Sequence, residues 1–276
     1  MPGSFRYNEK KSACEGVSGK TMSKNSNPAV SESDGVPLSE RLDAIARYVP
    51  ADGAVADIGA DHAQLLISLA RSGRLKRGIA GEVNLGPYHN ARQRVAASRF
   101  ENRIDVRRGD GLNILAPDEA DVIVIAGMGG ALIASILESG NNRLRGVQRL
   151  ILQPNNGAER VRLWLAENGW ELRDEELVRD GGILYEILVA EPGMPERPYE
   201  ALPLTREKAL QIGPVLWRKR HPFLKSRLEK ELAGWERILQ KLQSGRTREA
   251  EERRRRVTEE IGEWRRMIEW LSEEET

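Results

Sequence analysis

One cysteine, three histidines and no long apolar run mark what this chain does without. Cys14 has no partner cysteine, so a disulfide framework and a cysteine-based zinc cluster are both excluded. His62, His89 and His221 form no H-E-x-x-H arrangement, and no metal is expected. Without an apolar run there is nothing to span a membrane or to act as a hydrophobic signal region. A formal net charge of +1 implies no large uniform field, although basic patches can hide within a neutral total. The expectation is a soluble cytoplasmic protein, long enough for one α/β domain and a smaller attachment.

Residues 1–36 are rich in Ser, Gly, Asn, Lys and Glu and have no apolar period. They predict a disordered polar leader, with Met22 as an alternative start. Folding begins near Leu38, where Leu42, Ile45, Ala46 and Val49 give one apolar helix face ending before Pro50. A βα alternation follows, with strands expected at 54–58, 78–83, 104–107, 121–126 and 147–152. The fourth is almost wholly apolar, as a buried central parallel strand is. Residues 171–178 and 183–189, split by Asp180-Gly181-Gly182, read as a closing antiparallel hairpin. This is the layout of a Rossmann-like class I methyltransferase, expected over 37–198.

From about residue 203 the period changes. Leu224, Leu228, Leu232, Trp235, Leu239 and Leu242 recur at three and four steps, as do Val257, Ile261, Trp264, Ile268 and Leu271 beyond Ser244-Gly245. Such seams are coiled-coil-like. Residues 199–276 therefore predict an antiparallel helical hairpin and a monomer, with one long dimerising helix as the rival.

The chemistry centres on residues 55–63, which read as a strand, a tight turn and a helix start, with Gly59 in the turn and Asp61 as helix cap. Ligands of open parallel sheets bind at the carboxyl edge of the strands. Two carboxylates and few glycines in this turn argue against a diphosphate and for a cationic cofactor, S-adenosylmethionine. The first turn also lacks the G-x-G-x-x-G pattern of a NAD-dependent dehydrogenase. Asp57 and Asp61 would serve the cofactor's cationic groups, and Glu82, followed by Val83, both ribose hydroxyls. Asp110 would meet the adenine amino group, with Gly111 beside it and Leu112 against the ring. Gly127, Gly129 and Gly130 would allow close approach of the methionine end, and Met128 is open between packing against the ligand and ordinary loop-core packing. His62 is open between ligand contact and a structural hydrogen bond. Beyond the fifth strand, Gln153 and Asn155, stiffened by Pro154, carry donors and acceptors that can hold a base edge. A loop that merely caps the next helix is the alternative.

Several blocks resemble the bacterial tRNA (adenine(22)-N1)-methyltransferases. They are Leu38-Ser39-x-Arg41-Leu42, Asp57-Ile58-Gly59-Ala60-Asp61-His62-Ala63, Gly81-Glu82-Val83 with Gly86-Pro87, and Gly109-Asp110-Gly111-Leu112. Ile125-Ala126-Gly127-Met128-Gly129-Gly130, Leu152-Gln153-Pro154-Asn155, Gly169-Trp170, Tyr185-Glu186 and Ile212-Gly213-Pro214 continue the match. The resemblance implies a Rossmann-like domain with a C-terminal coiled-coil domain. It also implies methyl transfer from S-adenosylmethionine to N1 of adenine 22, at the corner of the tRNA D-arm. Ala60, Gln64 and Leu66 stand where the family often has Ser, Tyr and Pro, and Gly182 where Lys is common.

N1 of neutral adenine has a lone pair, so in-line attack on the sulfonium methyl needs neither a metal nor a covalent enzyme intermediate. Gln153 and Asn155 would hold the base, while Asp61, with His62, would stabilise charge or relay a proton. The target must be flipped out of its tertiary contacts. Arg218, Lys219 and Arg220, and the run Arg253, Arg254, Arg255 and Arg256, are candidate phosphate contacts, with a solvated charged face as the alternative. The rival activities are an N6-adenine nucleic-acid methyltransferase, which usually carries an aromatic where Asn155 stands, and a non-enzymatic RNA- or protein-binding module.

Overall fold

The structure is a computed structural model and describes residues 37–243 and 247–273. The polar leader with Cys14 and Met22, and the Ser244-Gly245-Arg246 link, lie outside the described residues. Seven strands form one sheet in the order β3-β2-β1-β4-β5-β7-β6. They are β1 (Gly53–Ile58), β2 (Leu75–Glu82), β3 (Ile104–Arg108), β4 (Val122–Gly129), β5 (Arg149–Asn156), β6 (Trp170–Asp180) and β7 (Ile183–Pro192). The first five pair in parallel, and β7 runs antiparallel to both β5 and β6. The expected closing hairpin is therefore present.

Alternation along the central strands divides the core in two. Val55, Val122, Val124 and Ile151 face α1 (Glu40–Tyr48), α2 (Gln64–Arg71) and α3 (Leu85–Ala97). Ala56, Ile123, Ile125, Leu150 and Leu152 face α4 (Gly130–Ser139) and α5 (Ala158–Glu167). Strands covered on both faces read as continuous apolar runs, which is why β4 was legible. The Ser39 hydroxyl caps α1 by accepting from the Leu42 N–H at 3.4 Å, and Val49 turns extended before Pro50.

The chain then forms α6 (Arg206–Ile212), α7 (Pro214–Arg218), α8 (Leu224–Leu242) and α9 (Arg248–Ser272). Arg265 pairs with Glu236 at 2.7 Å, and Arg254 reaches back to the Gln243 carbonyl at 3.5 Å, so α8 and α9 run antiparallel within one chain. Leu228, Leu232 and Trp235 meet Trp264, Met267 and Ile268 along their seam, which continues onto Leu177 of β6.

A buried knot seats these helices on the sheet. Glu175 of β6 is fully buried and accepts the Val215 and Leu216 N–H groups at 2.8 and 3.1 Å, closing the N-terminus of α7. Its other oxygen takes the Arg162 Nε–H at 2.6 Å. Gly213 has φ +102°, and a Cβ there would crowd both the Arg162 guanidinium and the Glu175 carboxylate. Arg162 also pairs with Glu186, which in turn meets Arg227 at 3.2 Å. Burial pulls the pKa of both guanidinium groups down, against the pull of Glu175. Two acids and two bases so close a neutral cluster, without which the burial of any one would be costly.

Candidate active site

The carboxyl ends of β1, β2, β4 and β5 meet where the sequence placed a ligand. The Gly59 N–H donates to the Gly81 carbonyl at 2.8 Å, and the Asp61 N–H to Glu82 Oε1 at 2.9 Å, tying the first turn to the second strand. Asp61 does not cap α2, contrary to its sequence-based assignment. The cap position is Ala63, with no side-chain bond, and the Asp61 carboxylate stands 87% exposed. Capture of the Asp61 peptide by Glu82 accompanies the difference, as Asp61, His62 and Ala63 take φ of 36°, 66° and 55°. Left-handed backbone costs roughly 1 kcal/mol or more per residue, and such strain gathers at functional sites. The same bend brings His62 Nε2 to 3.5 Å from Asp61 Oδ1.

Asp57 and Glu82 are both buried beneath this turn. Burial, reinforced by Glu82 and Asp61 and opposed by Arg41, pushes the Asp57 carboxyl up to about 7. Burial also raises Glu82, while its bond from the Asp61 N–H works the other way. Two buried acids, both pushed upward by burial, favour a cationic ligand. The Met128 terminal methyl lies where a Cβ on Gly59 would stand, so that glycine admits a side chain from the end of β4. Val83 and Asp110 are exposed, and Gly111 is half-buried with φ +53°. Leu112, expected against a ligand ring, is 1% exposed and belongs to the core beside α4.

The amide pair is arranged differently from the sequence reading. Strand β5 continues to Asn156, so Gln153 points inward and is fully buried. Its Oε1 accepts from the Gly127 N–H at 3.0 Å and from Arg41 Nη1 at 2.6 Å, while its Nε2 donates to Asn155 Oδ1 at 3.2 Å. Asn155 Nδ2 donates to the Gly127 carbonyl at 2.8 Å. Gln153 and Asn155 therefore clamp both polar groups of one peptide residue. Gln153 has no open edge for a base; Asn155 is exposed and keeps one N–H and one lone pair. Pro154 is buried between them.

Arg41 completes this network, and sequence reasoning gave it no role. Its backbone N–H donates to Asp180 Oδ2 at 3.3 Å, and its guanidinium sits 5.3 Å from the Tyr185 ring centroid. The signal was its place in the Leu38-Ser39-x-Arg41-Leu42 block, together with a Tyr185 that had no assigned partner. Gly130 lets the two loops meet, since a Cβ there would overlap the Gly157 carbonyl.

The candidate phosphate contacts fare unevenly. Arg218 donates to the Pro198 and Glu200 carbonyls at 2.9 and 3.1 Å, and Lys219 pairs with Asp174 at 2.9 Å. The Arg220 guanidinium lies 3.9 Å from the Trp270 ring centroid. All three thus have partners within the fold, with Arg218 and Lys219 exposed and Arg220 half-buried. Arg253, Arg254, Arg255 and Arg256 are successive residues of α9 and so point around the helix rather than along one face. Arg253, Arg255 and Arg256 are exposed, and Arg254 is half-buried beside Glu251. Among the described residues no cluster of metal-ligating side chains forms, and no helix is long and apolar enough to cross a membrane.

Comparison with known proteins gives this geometry a family. The family model described as tRNA (adenine(22)-N(1))-methyltransferase, TrmK, matches residues 55–266. A Bacillus subtilis tRNA (adenine(22)-N(1))-methyltransferase is 41% identical over 195 residues, covering 71% of this chain and 81% of the relative. The crystal structure of the B. subtilis M1A22 tRNA methyltransferase TrmK superposes with a TM-score of 0.79 at 36% identity, over 84% of this chain and 99% of the other. The crystal structure of Streptococcus pneumoniae Sp1610 in complex with S-adenosyl-L-methionine gives 0.73 at 35% identity, over 84% and 100%. The chain belongs to the TrmK family of tRNA (adenine(22)-N(1))-methyltransferases.

Proposed function

We propose that the buried acids beneath the first turn and the amide clamp on Gly127 are the two halves of one active site. The chain is an S-adenosylmethionine-dependent enzyme that methylates N1 of adenine 22 in tRNA. The N6-adenine and non-enzymatic alternatives fall with that assignment. When bound, the cofactor supplies a methyl group made electrophilic by its sulfonium. The donor set suits it, because Asp57 and Glu82 are buried acids side by side, and a cation would relieve the crowding that pushes the Asp57 carboxyl up to about 7.

Asp57 and Asp61 hold the cationic end. Glu82 keeps one oxygen for the ribose, its other being engaged by the Asp61 peptide. Asp110 and Gly111 take the adenine end, and Gly59, Gly127 and Met128 shape the wall. On the substrate side Asn155 presents its remaining N–H and lone pair to the base, while Gln153 and Arg41 set its angle without touching the base. No group need remove a proton before attack, because N1 already carries a lone pair. Asp61, exposed beside His62, is placed to stabilise the cationic methylated base and receive its proton. Catalysis is then mainly positioning and electrostatics.

Exposed arginines of α9 contact the tRNA near the D-arm, and the enzyme works as a cytoplasmic monomer. The observation that carries this reading is the chain of bonds from Arg41 through Gln153 and Asn155 to Gly127. Incubating unmodified tRNA with S-adenosylmethionine and mapping the methylated atom tests it. Asn155→Ala should abolish transfer while retaining cofactor affinity, and Asp57→Ala should lose both. An Asn155→Ala enzyme with full turnover refutes the site.

A further inference from the structure

A cavity of about 530 Å³ opens directly from the amide clamp. Pro154, Asn155 and Asn156 line one end, the β6–β7 hairpin forms a wall through Arg179 and Leu184, and Lys230 and Trp235 of α8 line the far side. Its volume lies in the range of sites that enclose a small ligand, which is about the size of one nucleotide. Nothing assigned so far uses it, although Asn155 belongs to both spaces.

The charges in its wall are mostly spoken for. Glu186 and Arg227 are closed within the buried knot with Arg162 and Glu175. Arg227 also donates to the Ile212 and Gln211 carbonyls, at 2.7 and 2.9 Å. Arg179 rests its guanidinium 5.0 Å from the Phe223 ring centroid. Lys230 has no hydrogen-bond or ion-pair partner among the described residues and is exposed. Glu159 and Glu231 also line the cavity, so it is no electrostatic trap for a bare anion. What it offers is a half-buried indole, apolar Leu184 and one uncommitted ammonium at the rim. That combination suits an unstacked base with its phosphate turned outward.

We propose that this cavity receives a nucleotide flanking the methylated adenine, its base against Trp235 and its phosphate toward Lys230. The inference rests on Asn155 holding the target adenine, which puts the neighbouring nucleotide of the same strand at the mouth of the cavity. The C-terminal helices thereby hold the displaced RNA strand open beside the target.

The test is a double-mutant cycle between enzyme and RNA. Initial rates are measured at saturating S-adenosylmethionine on unmodified tRNA and on tRNAs carrying an abasic site on either side of adenine 22. For the wild type, one of the two abasic substrates should raise KM about tenfold, the size of one base stacked on an aromatic ring. Trp235→Ala should raise KM for intact tRNA by a similar factor and remove the further penalty of the abasic site, with S-adenosylmethionine affinity unchanged. Trp235→Phe should restore discrimination, and Lys230→Glu should raise KM with little change in kcat. Penalties that simply add, or a Trp235→Ala enzyme indistinguishable from wild type on every substrate, overturn the inference and leave the active site standing. Failure of the wild type to methylate intact tRNA overturns both.

Discussion

Cofactor affinity should fall steeply in mild acid because of Asp57. With its carboxyl at about 7 in the free protein, the group is mostly protonated at pH 6 and almost wholly so at pH 5. A bound cation needs the ionised form, so binding must release the proton. The ionised fraction is roughly nine-tenths at pH 8, one-tenth at pH 6 and one-hundredth at pH 5, giving about a hundredfold weaker binding across that range. The sign for folding is opposite. The folded-state pKa lies above the ordinary 3.8, so the neutral carboxyl stabilises the free protein at low pH, and this stabilisation is lost as pH rises from about 4 through 7. The whole contribution is on the order of 4 kcal/mol. Titration calorimetry with S-adenosylmethionine at pH 5, 6, 7 and 8, in buffers of different ionisation enthalpy, reads both the affinity and the proton released. Asp57→Asn should bind weakly with a flat pH profile while raising the melting temperature of the free protein at pH 8 by several degrees. A wild-type affinity that is level between pH 5 and 7 refutes the assignment of Asp57.

Three further outcomes are expected. Arg41→Ala removes a charged hydrogen bond to a buried acceptor, a loss of about 1.5–3 kcal/mol; kcat on tRNA should fall roughly ten- to a hundredfold. Because Arg41 opposes the rise in Asp57, the same variant should move the cofactor pH profile upward, which a purely structural defect would not do. Glu175→Ala leaves the buried Arg162 Nε–H and two N–H groups of α7 without their acceptor and should cost about 3–5 kcal/mol in urea unfolding monitored by tryptophan fluorescence, whereas surface changes on α9 should cost almost nothing. Reversing Arg253, Arg255 or Arg256 singly should lower the slope of log tRNA affinity against log salt by about one each, with Arg254→Glu doing less because it is half-buried beside Glu251.

The fold was readable because its signals are local. Apolar runs bounded by Gly, Asp and Pro marked the strands, and the leucine and tryptophan spacing marked the arm. Strand ends were less legible: β5 runs four residues past Leu152, because pairing with β4 carries its ladder through register shifts around Met128. That extension turns Gln153 inward and changes its role. The acids of the site were visible as strand-end carboxylates, but the bend at Asp61 was not, since it depends on a bond from a residue twenty-one positions away. Arg41 stayed hidden for the same reason, its partners lying more than a hundred residues downstream. The arginine clusters were harder to read, because adjacency along a chain says little about which way side chains point or what they are already bonded to.

The knot of Glu175, Arg162 and Gly213 also restrains the arm. It joins the arm to the sheet at its root, with charges that cannot be separated without large cost, so the arm has no free hinge there. The gap between α8 and the hairpin is then a fixed gauge, like the jaws of a locked caliper. If the cavity takes a flanking nucleotide as proposed above, an RNA has to open to that span for its adenine to reach Asn155, and ease of deformation becomes a criterion of substrate choice.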